Sequence, residues 1–286
     1  MEDSMGGNPQ KNYVSAYGLY TAAFGSSPDK VFKTQNQHPY VASEFVWSGW
    51  DYLGEPTPYY SARSSYCGII DLAGFKKDRF YLYQSRWLPD SPMVHILPHW
   101  NWPDRLGKVT PVHVFTSGDE AELFLNGRSL GKKKKEVFEY GLCWNDVKYE
   151  PGELKAVAYK KGKKWAEETV STTGPAAQLM ISADRDVIQA DGNDLSFVTV
   201  RIADKSGLTV PDADNQISFA IEDHAQIDAT DKGDPADLTF FASKERKAFS
   251  GLVLAIVRPQ KDSYGSVKIT ASSPGLKKVV IEIKTK

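Results

Sequence analysis

Residues 43–60 read SEFVWSGWDYLGEPTPYY and place two tryptophans, three tyrosines and three carboxylates beside a turn. A sugar ring presents apolar C–H faces and a rim of hydroxyls. A site for it therefore stacks an aromatic ring on one face and sets carboxylates, amides or arginine at the edge. Glu44, Trp47, Trp50, Asp51, Glu55 and Tyr59 supply that inventory on a loop stiffened by Pro56 and Pro58, and Arg63 follows. The same composition suits aromatics that cap a core, and the residues alone leave both readings open.

Other chemistry-bearing residues point to structural roles. His95, His99 and His113 sit among apolar and aromatic residues without H-x-H or i, i+4 spacing, so they read as structural imidazoles, and no metal site is expected. The stretch HWNWP at 99–103 resembles a carbohydrate platform in composition, but two tryptophans at a domain junction read better as interdomain packing. Asp191, Asn193, Asp194, Asp204, Asp212 and Asp214 lack the ligand spacing of a calcium loop and read as turn acids. Cys67 and Cys143 each lie in an apolar stretch with no C-x-x-C motif, which predicts buried free thiols.

At 286 residues the chain predicts two or three domains. Its 35 basic and 36 acidic side chains nearly cancel and are interspersed, leaving no electrostatic footprint for nucleic acid or an anionic membrane. No apolar run approaches the roughly 18–20 residues of a membrane span. The start, MEDSMGGNPQKNY, has no basic region followed by an apolar core, so it does not read as a secretory signal. The four lysines at 132–135 predict a solvated hairpin end.

The elements change character along the chain. Residues 1–92 combine a helical candidate (NYVSAYGLYTAAFG), a strand (YVASEFVW), a proline-rich loop, a short strand (YCGIID) and a helix with an aromatic face made by Phe80, Tyr81, Tyr83, Gln84 and Trp87. That β/α rhythm is incomplete, because one unit cannot bury both faces of a parallel strand. Residues 93–173 switch to short alternating strands (PVHVFTS, EAELFLNG, VFEYGLCW, GELKAVAYKKGKKWAEETVST) broken by turns, the pattern of an antiparallel sandwich. After TTGPAA, residues 174–286 repeat it with QLMISAD, LSFVTVRIADKSG, NQISFAIED, GLVLAIVRP, GSVKITASSPG and KKVVIEIKTK, which predicts an immunoglobulin-like sandwich. All seven tryptophans precede residue 166.

The runs EFVWSGWDYLGEPTPYY, SSYCGIIDLAGFKKDRFYLYQSRW and HILPHWNWP resemble the end of the catalytic barrel and the following junction in glycoside hydrolase family 2, the β-galactosidase family. VHVFTSGDEAELFLNGRSLGKK, YEPGELKAVAYKKGKKW and DRDVIQADGNDLSFVTVRIADKSG are similar to the accessory domains that follow that barrel, so the resemblance spans nearly the whole chain. It implies a mainly β chain: the end of a (β/α)8 barrel at 1–92, a β-sandwich at 93–173 and an immunoglobulin-like sandwich at 174–286.

The resemblance makes YVASEFVW the eighth barrel strand, with Trp47 bordering the sugar pocket and Trp50 and Asp51 entering the next loop. It implies retaining hydrolysis of a terminal β-linked sugar by two carboxyl groups, without a cofactor. The family's general acid lies in an Asn-Glu pair, and no such dipeptide occurs in this sequence. The polypeptide by itself is therefore expected to be inactive. Glu2 falls near the position of the nucleophile, whereas Glu44 lies inside the strand and reads as a barrel-wall or ion-pair residue. Related glucuronidases carry Asn-x-Lys where this chain has SSYCG at 64–68, so a neutral, galactoside-like carbohydrate is the expected substrate. The multi-domain relatives are mostly periplasmic or exported, which sets the expectation for this chain. Two other readings stand beside the enzyme: carbohydrate-binding sandwiches, and spacer or homo-oligomerisation modules.

Overall fold

The computed structural model describes residues 7–18, 25–42, 44–222 and 224–286. They form two compact units. The first runs to Thr172 apart from Leu72–Gly74, and the second holds those three residues with Thr173–Lys286.

In the first unit, α1 (Pro28–Gln37) starts where Ser27 caps the Lys30 N–H, with Pro28 at the first position and Asp29 in the first turn. These are three residue types that favour a helix start. Helix α2 (Asp78–Trp87) begins with Asp78 at its positive end and buries Leu82, Tyr83 and Ser85. Phe32 of α1 is fully buried between Tyr83 and Tyr140, with ring centroids 5.3 and 5.1 Å away. Ile69 joins them, and Phe115 packs on this small core from the sandwich below.

The sandwich has seven strands. β1 (Val94–Leu97), β2 (Val112–Thr116) and β5 (Leu142–Trp144) form one sheet in the order β1-β2-β5. β3 (Glu120–Leu125), β4 (Arg128–Lys134), β6 (Glu153–Lys160) and β7 (Lys163–Ser171) form the other in the order β4-β3-β6-β7. Alternation sends Val112, Val114, Leu142 and Trp144 inward against Leu123, Leu125, Leu154 and Ala156. Trp100 and Tyr149 fill the same core.

The opposite face of the three-stranded sheet is also covered. Register sets His95 opposite Phe115 and His113 opposite both Leu97 and Cys143. Tyr17 tilts over His113 at 4.9 Å, and Tyr81 of α2 stacks on His95 at 3.8 Å. His95 Nε2 lies 2.8 Å from Asp78 Oδ1, and its Nδ1 lies 3.5 Å from Glu168 Oε1. Glu168 in turn accepts the Ile96 N–H. Burial pulls the imidazole pKa down, but the hydrogen bonds and charges of Asp78 and Glu168 more than reverse this and raise it to about 9. The aromatic helix thus packs on the first sandwich.

The second unit is a nine-stranded sandwich. β8 (Gln178–Ala183), β9 (Val187–Ile188), β10 (Ser196–Ala203), β11 (Gln216–Glu222), β12 (Ala225–Asp231), β13 (Glu245–Lys247), β14 (Leu252–Pro259), β15 (Gly265–Ser273) and β16 (Leu276–Thr285) build sheets β12-β14-β10-β8 and β13-β11-β15-β16-β9. Val198, Val200, Val253 and Val257 meet Ile217, Val267 and Ile269 in its core. Arg246, also fully buried, is neutralised by Asp237 and donates to Thr230 Oγ1 and to the Phe240 carbonyl.

Three expectations are corrected. YVASEFVW forms no strand among its described residues. Only residues 48–51 pair, in a short parallel ladder with 67–70, because no second strand flanks the stretch. The helical candidate NYVSAYGLYTAAFG is not helical over 12–18, where Asn12 and Gly18 hold φ of 58° and 71°, outside helical space. The remainder up to residue 24 lies outside the described residues. Lys132, Lys133 and Lys134 do not cap a hairpin but line β4, an exposed edge strand. The hairpin end is Asn126-Gly127, with φ of 51° and 78°. Charged side chains on such an edge discourage a further strand from pairing.

The raised pKa of His95 sets a sign for pH dependence. A folded value near 9 against an unfolded value near 6.5 gives stability that is fully present below about pH 6.5 and lost as pH rises through about 9. It is worth up to about 3 kcal/mol. Tryptophan fluorescence reads the first unit alone, since every tryptophan lies there. Urea unfolding followed by that signal should show the loss between pH 6 and pH 9.5, and His95→Gln should flatten it. In hydrogen exchange, residues 44–60, with few backbone hydrogen bonds, should exchange faster than β3 and β6. Equal protection would contradict the described fold.

Candidate functional site

The ladder that carries the aromatic segment is short and well bonded. Ile69 and Ile70 donate to Ser48 O (3.2 Å) and Gly49 O (3.0 Å), and Asp51 donates to Ile70 O (2.9 Å). Gly68 makes the close approach: a Cβ there would lie 2.1 Å from the Asp51 nitrogen and 2.3 Å from the Trp50 carbonyl carbon. Only a bare backbone fits.

Asp51 is the post of this arrangement and is 3% exposed. Its Oδ1 accepts the Gly68 N–H at 2.8 Å, and its Oδ2 lies 2.5 Å from Lys77 Nζ. Burial pushes its pKa up, while Lys77 and the Gly68 N–H hold it down. Asp51 therefore faces the protein interior and supports the loop from within.

The two indoles face the other way. Trp47 is 72% exposed and Trp50 58% exposed. Trp47 Nε1–H donates to Tyr52 Oη at 2.7 Å, Tyr52 O–H donates to Glu55 Oε2 at 2.5 Å, and the Trp47 and Tyr52 rings meet edge to face at 5.8 Å. Ser48 Oγ donates to Trp50 O at 2.6 Å, and the Trp47–Ser48 peptide is cis. Trp47 is thus anchored through its nitrogen while its face stays open, the geometry a stacking ligand needs.

The remaining candidates divide. Residues 44–47 keep a strand's alternation without its pairing: Glu44 and Val46 turn inward, Phe45 and Trp47 outward. The Glu44 carboxylate oxygens are buried without a hydrogen-bond partner among the described residues, and burial raises its pKa against the pull of Arg86. Tyr59 is drawn back by its hydroxyl bond to Tyr13 O (3.3 Å) and its edge contact with Tyr66. Glu2 lies outside the described residues. The arrangement offers an aromatic platform with one carboxylate at its edge.

Elsewhere the chemistry-bearing residues are structural. Trp100 is fully buried and donates to Glu150 O, while Trp102 packs partly buried against the same core and stacks on His99 at 4.2 Å. Asp191 Oδ1 accepts the Asn193 and Asp194 N–H groups, and Asp204 Oδ1 accepts those of Ser206 and Leu208. Among the described residues no group of three or more His, Cys, Asp or Glu is placed to hold a metal ion. Sequence reasoning missed Tyr52, Gly68 and Lys77. Only Tyr52 carried a local signal, five residues after Trp47 and three before Glu55.

The described chain is thus mainly β, two sandwich-bearing units with an exposed aromatic surface in the first. Residues 179–282 match the family model "Glycoside hydrolase family 2 C-terminal domain 5", and residues 107–166 match a domain of unknown function, DUF4982. The chain is 40% identical over 94% of its length to "Beta-galactosidase BoGH2A" of Bacteroides ovatus, of which it covers 31%. It is 32% identical, also over 94%, to a "Putative beta-glucuronidase" of Formosa agariphila, of which it covers 26%. A solved β-glycosidase from Bacteroides vulgatus superposes with a TM-score of 0.88 at 31% identity, over 96% of this chain and 34% of that one. The chain belongs to glycoside hydrolase family 2 and matches the C-terminal region of its members. It spans about a third of the length of the relatives it matches.

The close approach at Gly68 yields a test. Gly68→Ala should destabilise the first unit by about 1–3 kcal/mol in tryptophan-monitored urea unfolding, because the ladder must open to admit a methyl group. Unchanged stability would show that the ladder does not hold the platform.

Proposed function

We propose that this chain supplies the pocket-bordering end of a barrel and the accessory sandwiches of a retaining β-glycosidase that acts on terminal β-linked neutral sugars, galactosides first. One observation carries the reading: Trp47 presents an open indole face while Tyr52 and Glu55 fix its nitrogen edge. In this reading residues 1–92 are barrel end, 93–173 and 174–286 are accessory sandwiches, and Glu2 stands at the nucleophile position. Trp47 stacks on the sugar, Trp50 widens the platform, and Asp51 serves by positioning both from beneath.

Retaining hydrolysis needs a proton donor and a nucleophile about 5–5.5 Å apart. The chain holds no Asn-Glu pair, so these 286 residues alone do not complete that chemistry. The neutral-sugar preference rests on SSYCG at 64–68, which offers no cation for a sugar carboxylate, and on Lys77, which Asp51 already neutralises.

The 286-residue chain should release no nitrophenol from p-nitrophenyl β-galactoside above background. A polypeptide that adds an upstream coding sequence bearing an Asn-Glu pair should hydrolyse it and prefer it to the β-glucuronide. In that longer protein Trp47→Ala should lower kcat/KM about 10–100-fold through lost stacking, about 1.4–2.8 kcal/mol. Preference for the glucuronide would overturn the neutral-sugar reading, and an unchanged kcat/KM would remove Trp47 from the pocket.

A further inference from the structure

A second feature, on the first sandwich and independent of the aromatic platform, has the makings of a ligand site. Where the end of α2, the β2–β3 turn, the end of β4 and the β6–β7 turn meet, a cleft of about 560 Å³ opens. That size falls within the range of about 300–1,000 Å³ typical of small-molecule sites. Arg86, Lys134, Lys135, Lys160 and Lys161 line it, against two carboxylates, Asp119 and Glu120.

Both carboxylates already have partners. Glu120 Oε2 lies 2.5 Å from Lys132 Nζ, and Asp119 Oδ2 accepts the Lys161 N–H at 2.8 Å. The cations are less well served. Lys135 Nζ donates to the neutral Thr116 carbonyl, and Lys160 Nζ donates to Pro89 O while reaching the exposed Asp90 at 3.2 Å. Arg86 spends one Nη on Asn36, while its Nε–H is buried with no hydrogen-bond partner among the described residues. Burial pulls the Lys135 pKa down to about 8. Asp119 and Glu139 oppose that fall and Lys160 adds to it. The Lys135 ammonium meets a neutral carbonyl, and the Arg86 guanidinium has Glu44 as counter-charge but a buried Nε–H left without a hydrogen bond among the described residues; an anion entering the cleft would satisfy both.

We propose that this cleft is a binding site for a small oxyanion, the sulfate or carboxylate group of an acidic saccharide, gripped by Arg86, Lys135 and Lys160. Gly162, beside which nothing lies within 4 Å of a Cβ position, leaves room in the lining for the ring that carries it. A guanidinium beside ammonium groups suits a multi-oxygen anion better than either cation alone.

The test titrates the full 286-residue chain with sulfate, glucuronate, galactose 6-sulfate and galactose, following the lysine side chains by NMR. The three anions should bind in competition with one another, shift the Lys135 resonances and raise the pH at which Lys135 titrates. Galactose should do neither. Tighter binding of the sugar-borne anions identifies the saccharide as ligand, and equal binding of sulfate identifies the anion itself. Lys135→Met should weaken binding at least tenfold, and Lys161→Ala, at an exposed turn where folding is not at stake, should weaken it severalfold with a shallower salt dependence. No saturable anion binding, equal binding of galactose, or binding that both variants leave unchanged would overturn the proposal.

Discussion

The three-stranded sheet β1-β2-β5 has two faces to fill, and the first unit depends on its filling both. The inner face is an ordinary sandwich core. The outer face takes the aromatic helix and the turn around Tyr17, with a charged imidazole between two carboxylates at its centre. The ladder of residues 48–51 with 67–70 is too short to build a core of its own. Docking on a preformed sheet gives α2 a fixed position, and Phe80 and Lys77, at its start, carry that position into the Ile69–Asp51 ladder. The order in which the aromatic platform is supported therefore runs from the sandwich outward.

Much of this was legible from side-chain period. β2, β3, β6, β10 and β14 each bury one face or both and show it in sequence, and α2 declared itself by an aromatic stripe. The misses share a cause. β4 is exposed along nearly its whole length, so RSLGKKK has no buried face to imprint a period and reads as turn. The stretch 44–47 alternates like a strand, but alternation reports which side chains are buried and not whether a neighbour exists to accept the backbone bonds. Helix α1 carried Ser27, Pro28 and Asp29 at its start, a local signal that a polar, weakly periodic sequence obscured.

The site was legible in composition and opaque in orientation. Two tryptophans and a tyrosine beside acids predicted an aromatic surface, and Trp47 and Trp50 are exposed. The sequence could not distinguish Asp51 from Glu55 as the outward carboxylate. What buries Asp51 is Gly68 and Lys77, 17 and 26 positions away, and no local pattern joins them. The relatives extend the lesson. A protein named a galactosidase and one named a putative glucuronidase are both similar to this chain over 94% of its length, so likeness over this region does not by itself fix a substrate.

The outer-face docking bears on how the chain is made. Helix α2 ends at Trp87, and β5, the last strand of the sheet that receives it, ends at Trp144. At about 5–20 residues per second, a ribosome takes several seconds to cover that interval. Throughout it, Tyr81, Tyr83 and Phe32 emerge with no sheet to meet, as does the aromatic-rich stretch of residues 44–60. The segment that carries the exposed tryptophans is thus a part of the first unit with a long wait for its support, where a chaperone's shelter during synthesis matters.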